Sequence, residues 1–303
     1  QRGVSCEINV CGLQGGHSGE EIHRERGNAI CLLGRTLNRL LEKMELYLVD
    51  VKGGVADNAI PVQAKAKILI TKYEKEDGLL QAVRGEDMEK ECILLLKTVC
   101  EKLDQELKIE LADKDSGVRI EVSTCKTEDE EVIDREESKI LISLINSLPY
   151  GVQAMSRDMP GMVETSLNPG QIFMEGKRVS IGISVRSALE SAKIALIGRL
   201  ESLAYLAGAD MEVTGVYPGW AYRKDSPLRS RMVEVYKNLY QKEPEIRAIH
   251  AGVECGLLAD KISGLDCVSI GPDMKNIHTA KEELSISSAG RVWNYLIQLL
   301  EEL

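Results

Sequence analysis

His17 has the most suggestive setting of the four histidines in this sequence. It stands between Gly16 and Ser18 in Gly-Gly-His-Ser-Gly (15–19), where a strand pattern gives way to a helix start. The flanking glycines let a ligand approach the backbone, and a helix N-terminus disfavours a protonated imidazole. A neutral ring there suits donation to a developing oxyanion. The same residues also suit a loop histidine whose glycines serve only the turn. His278 ends Gly-Pro-Asp-Met-Lys-Asn-Ile-His (271–278), after a segment that reads as a buried strand. In open α/β sheets ligands bind beyond the carboxyl ends of strands, so a metal-ligating imidazole fits there, as does a plain surface loop. His250 and Glu254 share His-Ala-Gly-Val-Glu-Cys-Gly, again after a strand pattern, and His23 falls on the exposed side of the first helix. Arg186 closes the alternating strand of Val179, Ile181, Ile183 and Val185 on its polar phase. A guanidinium there either grips a carboxylate bidentately or makes a surface ion pair. Asn58, just before Ala-Ile-Pro, is either a turn residue or a second donor to that carboxylate.

Other chemistries have less support. Glu20, Glu21 and His23 do not form an HExxH pattern, and the eight cysteines contain no CxxC pair, so a cysteine-rich zinc site is not indicated. Their low density reads as reduced thiols in a cytoplasmic protein, most of them buried. A net charge of −10 argues against general affinity for nucleic acid or an anionic membrane. No apolar run approaches the roughly 18 residues of a membrane span, and the first residues lack a signal-peptide layout.

Elements must position these side chains. At 303 residues the chain has room for about two domains. Its aromatic content is only 4%, so its core must be aliphatic. Ile8 and Val10 alternate with Glu7 and Asn9 in a first strand. Ser18 and Glu21 then have capping-box spacing before Ile22, Ala29, Ile30, Leu33, Leu37, Leu40, Leu41 and Met44, predicting a long amphipathic helix to about residue 44. Strands are expected near 46–52, over Val62 to Ile70 and around Val118 to Val122, with a helix through Ile93 to Leu103 between the last two. Residues 126–138, KTEDEEVIDREES, read as a solvated loop and helix start rather than an acidic docking patch. A strand pair at 162–174 and 178–186 leads to Ser187 and Glu190 at capping-box spacing, a helix ending at Gly208, and a strand at Met211 to Val216. Strand–helix–strand, done twice, predicts a duplicated ferredoxin-like α+β module over about residues 1–220. Beyond Tyr-Pro-Gly-Trp (217–220) the pattern becomes α/β. Ser226-Pro227 starts a helix through Tyr240, strands fall at Ile246 to Ile249 and Leu265 to Ile270, and helices start near Val253 and Ser288. Eighty such residues read as part of a larger domain.

Taken in order, these motifs resemble a family. Gly-Gly-His-Ser-Gly with Gly-Asn-Ala, Asn-Ala-Ile-Pro, Gly-(x)2-Glu-Thr-Ser at 161–166, Ser-Val-Arg-Ser at 184–187, Tyr-Pro-Gly-Trp, His-Ala-Gly-(x)-Glu-Cys-Gly and Ile-Gly-Pro with His278 look like the aminoacyl-histidine dipeptidases. These are also called Xaa-His or cytosol non-specific dipeptidases, a branch of the dinuclear-zinc exopeptidases. The resemblance implies a lid and dimerisation domain over 1–222 and the C-terminal part of a zinc-exopeptidase α/β catalytic domain over 223–303. It implies a homodimer through the lid, dipeptide substrates and two zinc ions. It makes His17 the oxyanion-stabilising residue, Asn58 and Arg186 the holders of the substrate's C-terminal carboxylate, and His278 a zinc ligand. His250 and Glu254 it places only near the substrate. The family's first His-x-Asp, bridging Asp and Glu-Glu pair have no counterpart here, so the chain is expected to be a fragment of such an enzyme. Two readings follow: half of a zinc dipeptidase, or, for the isolated chain, an inactive dimerisation and substrate-binding module.

Overall fold

The computed structural model describes residues 1–75, 78–247, 254–276 and 280–303, without the side chain of Thr124. The chain forms two compact units, one of residues 1–156 and 163–214, the other of 157–162 and 215–303.

In the first unit the strands are β1 (Arg2–Cys11), β2 (Gly16–His17), β3 (Met44–Gly53), β4 (Ala59–Ile60), β5 (Ala64–Glu74), β6 (Leu80–Ala82), β7 (Arg119–Asp129), β8 (Gly151–Met155), β9 (Val163–Glu175) and β10 (Arg178–Ser187). Four helices accompany them: α1 (Ala29–Leu41), α2 (Glu86–Glu110), α3 (Arg135–Ser147) and α4 (Glu190–Leu206). Among the described residues one antiparallel sheet of eight strands has the order β10-β9-β3-β5-β1-β7, with β6 beside β5 and β8 beside β9. The first half, β1-α1-β3-β5-α2-β7, therefore has the strand order of a split-βαβ, ferredoxin-like module.

The alternation in the sequence explains this sheet. Val4, Cys6, Ile8 and Val10 of β1, and Ala64, Ala66, Ile68 and Ile70 of β5, face a continuous core with Ile30, Leu33 and Leu37 of α1 and Leu96, Leu103 and Leu107 of α2. The opposite phase is polar and paired, as in Lys65 with Glu7 at 3.0 Å. The acidic run also joins this ladder. Residues 126–129 continue β7, and Lys67 pairs with both Glu128 and Glu130. Cross-strand cations hold as strand what looked like loop.

Three local expectations fail, each for a physical reason. The long helix from Ser18 is broken: one 3-10 turn spans Ile22–Arg24, Glu25 is left-handed at φ 53°, and α1 starts only at Ala29. Glu21 turns back to the His17 N–H at 3.0 Å, and the Asn28 carbonyl oxygen of the side chain caps α1 by accepting from Ile30 and Cys31. Asp115, fully buried, takes the Gly27 N–H at 2.6 Å and fixes the break. Before α4, Ser187 Oγ takes the Leu189 N–H and meets Thr165, so the cap of the helix falls to Leu189. The second half also does not repeat the first. Met211–Val216 is exposed coil, with no strand among the described residues pairing with it.

The second unit holds α5 (Pro227–Tyr240), α6 (Glu254–Lys261), α7 (Ile286–Glu302) and a two-stranded ladder of β11 (Met274–Lys275) with β12 (Glu283–Leu284). Ser226 Oγ caps α5 at Arg229 N with Pro227 behind it, as its sequence predicts. The core is α5 on α7, through Met232, Val235, Tyr295 and Leu299. Leu265–Ile270 is coil rather than strand, because it has no ladder partner among the described residues. The same holds for Ile246 and Arg247, while Ala248 and Ile249 lie outside the described residues.

Candidate functional site

Positive φ at Gly15 (66°) and Gly16 (141°) lets the chain turn out of β1 into β2. There His17 faces Ala59 and Gly16 faces Ile60 across the short β2–β4 ladder. The Ser18 N–H donates to the Asn58 carbonyl at 2.8 Å, so the ladder sets His17 and Asn58 side by side. A small core of Ile22, Ile60 and Val163 lies under them and ties the turn to β9.

His17 Nδ1 accepts from the backbone N–H of Gly19 at 3.2 Å and of Glu20 at 3.1 Å. With two donors aimed at Nδ1, the neutral ring carries its proton on Nε2. The Glu21 carboxylate is held below its ordinary range, chiefly by the His17 N–H and then by Arg24 and Arg26, against the opposing effect of burial. Arg26 also donates to the Gly15 carbonyl, which locks the turn from the other side.

Arg186 lies opposite Ser166 on β9. It makes no ion pair among the described residues, and its Nε is buried without a hydrogen-bond partner. Burial pushes its guanidinium below the ordinary arginine range, opposed by the negative charges of Asp57 and Glu20. The surface ion pair considered from sequence is therefore not what Arg186 makes. The charges Arg186 senses come from Asp57, next to Asn58, and from Glu20, three residues after His17. Ser18 Oγ is a second buried polar atom without a partner there. A buried unpaired polar group costs about 1–3 kcal/mol, which fits a site that receives a polar ligand. Asn58 itself is exposed.

Sequence reasoning missed the amides beneath. Asn168, 1% exposed, donates from Nδ2 to the carbonyls of Asp57 (3.0 Å) and Ala59 (2.8 Å). Asn28, equally buried, donates to Asn168 Oδ1 and to the Pro169 carbonyl. The Gly-Asn-Ala motif was the only visible signal, and it read as helix. Asn168→Ala should strand two carbonyls and one amide, costing about 2–4 kcal/mol in chemical denaturation. Asn168→Asp should be no better, since a carboxylate cannot donate to either carbonyl.

Glu254 is the exposed first residue of α6, in the second unit. His250 and His278 lie outside the described residues. Among the described residues no three His, Cys, Asp or Glu side chains converge to hold a metal ion, so those residues alone do not fit a zinc centre. No described helix is long and apolar enough to cross a membrane.

Known proteins share this sequence and fold. The profile of the peptidase dimerisation domain matches residues 8–89. The cytosol non-specific dipeptidase of Escherichia coli (strain K12) is 36% identical over 297 residues, 98% of this chain and 57% of that protein. The crystal structure of aminoacylhistidine dipeptidase from Vibrio alginolyticus is 32% identical, with a TM-score of 0.83 over 99% of this chain and 57% of that one. The chain is thus similar to these dipeptidases over nearly all of its length, and it spans a little over half of theirs.

Proposed function

We propose that this chain supplies the lid, residues 1–222, and the C-terminal part of the catalytic domain, residues 223–303, of a cytoplasmic, homodimeric, metal-dependent dipeptidase acting on Xaa-His and other dipeptides. The observation that carries the reading is the buried Arg186 Nε, without a hydrogen-bond partner among the described residues, on a guanidinium that feels the charges of Asp57 and Glu20. Such a cation suits a free α-carboxylate, which Arg receives with two parallel charge-assisted bonds while the Asn58 amide adds a third donor. A dipeptide so anchored has its one peptide bond at a fixed distance from the clamp. The His17 Nε2–H, oriented by the two donors on Nδ1, then stabilises the oxyanion as the carbonyl is attacked. The family likeness assigns His278 to hold zinc, which would supply an activated water. What this chain's described residues do is grip the carboxylate, fix the reach to the peptide bond and carry the donor.

The test is cleavage of a panel of Xaa-His dipeptides by this chain together with the catalytic segment that the resemblance expects. Release of free histidine, lost with a chelator and restored by zinc, is the expected result. A folded, zinc-loaded assembly that cleaves no dipeptide would overturn the reading.

A further inference from the structure

Two cysteines from different elements meet at the edge of the sheet. Along β1 and β7, Ser5 faces Lys126 but Glu7 faces Ser123, so Cys6 alone stands opposite two residues of β7, Thr124 and Cys125. This is a β-bulge, which kinks one strand and re-aims its side chains. Cys6 is fully buried in the main core and Cys125 packs against that core from a half-exposed position. Facing residues of antiparallel strands have Cα atoms about 4.5–5.5 Å apart, within the roughly 4.4–6.8 Å a disulfide spans. Cys125 Sγ donates to the Ser123 carbonyl at 3.9 Å, and the neighbourhood of the two thiols, with burial, pushes Cys6 up while Cys6 and Lys97 hold Cys125 down against burial. Among the described residues β7 pairs with β1 alone and forms the edge of the sheet, and Cys125 is half-exposed.

We propose that Cys125 and Cys6 are an oxidant-modifiable dithiol, Cys125 the attacking thiol and Cys6 the resolving one, with hydroperoxides as the reacting class. The Cys125 thiolate attacks a peroxide oxygen and breaks the O–O bond, leaving a sulfenic acid on Cys125 and releasing the alcohol, or water from hydrogen peroxide. The Cys6 sulfur then bonds to the Cys125 sulfur. The sulfenic hydroxyl leaves with the Cys6 proton as water. Two thiols lose two electrons and the peroxide gains them. The bulge makes the pair special. Cys92 and Cys100, on α2, are buried neighbours of the same cluster but face no cysteine across a ladder.

The full chain is treated with one equivalent of hydrogen peroxide, remaining thiols are alkylated, and the protein is cut with trypsin and a glutamate-specific protease without reduction. Cutting after Glu7 separates Cys6 from Cys11. The expected product is residues 3–7 joined to residues 122–126, about 2 Da below the sum of the free peptides. The link should vanish with dithiothreitol and be absent in Cys125→Ser, yet persist in Cys92→Ser and Cys100→Ser, with far-UV circular dichroism confirming that each variant is folded. Sulfinic acid on Cys125 with Cys6 still alkylated would overturn the proposal. So would bridging of Cys255 to Cys267 while Cys6 and Cys125 both remain alkylated. The wild-type map decides the matter even if a variant fails to fold.

Discussion

If the proposed function holds, Arg186→Lys in this chain joined by the catalytic segment should lose roughly 10²-fold or more in kcat/KM on a dipeptide, nearly as much as Arg186→Ala. Each charge-assisted hydrogen bond contributes about 1.5–3 kcal/mol, and each 1.4 kcal/mol is about tenfold in rate. Lysine keeps the charge but cannot present the planar fork. Stability should barely fall in either variant, because the Arg186 guanidinium is desolvated without an ion pair to repay it. The discriminating measurement compares a dipeptide with its C-terminally amidated analogue. The wild-type protein should strongly prefer the free acid and the variants should not. If the contact is equal in ground and transition states, KM rises alone; if it aligns the peptide bond, kcat falls too. A variant with the wild-type acid-to-amide ratio would remove Arg186 from the site.

His17→Asn should fold normally and lose about 10²–10³-fold in kcat, with KM nearly unchanged. Asparagine places a carbonyl oxygen where Nδ1 sits, so the Gly19 and Glu20 N–H groups keep an acceptor and the turn keeps its shape. What it lacks is a donor at the reach of Nε2. His17→Gln has the converse geometry, with a longer amide that reaches the Nε2 position, and should recover part of the loss. Steady-state kinetics with unchanged thermal melts checks both. If His17→Asn retains full kcat, the imidazole has only a structural part and the oxyanion is stabilised elsewhere.

The sequence shows the large elements well and the site poorly, for one reason of length. β1, β5, β7, β9 and β10 are long enough for alternation to register, and α1 and α2 long enough for helical spacing. The ladder that joins His17 to Asn58 has two residues on each side, too few for any period. Gly15 and Gly16 were visible as turn residues, but not that the turn leads to Ala59. The break before α1 was hidden because Ile22 happens to fall in phase with Ile30 and Leu33 while Asp115, far along the chain, decides where the helix starts. The reverse error occurs at Met211–Val216 and Leu265–Ile270: apolar composition suits a strand, but pairing is a property of the neighbour, which local pattern cannot supply. His17, Asn58 and Arg186 are picked out only by the family likeness, and the short β2–β4 ladder brings the first two together. The amides of Asn28 and Asn168 beneath them had no pattern of their own.

The seam between the two halves of the sheet is narrow. β3 meets β9 only at Lys52 with Phe173 and Gly53 with Ile172, and the Asn28–Asn168 amide pair lies close to that seam. Hydrogen exchange should therefore show two tiers of protection, with β1 and β5 the slowest amides and β9 and β10 opening at a lower free energy. The segment bearing Asn58 is pinned from β9 through Asn168, so it belongs to the weaker tier and loosens whenever the second half undocks. A carboxylate-bearing ligand that bridges Asn58 and Arg186 closes a clasp across that seam. It should slow exchange along β9 and β10 while leaving β1 unchanged, so that the ligand fastens the two halves of the sheet together.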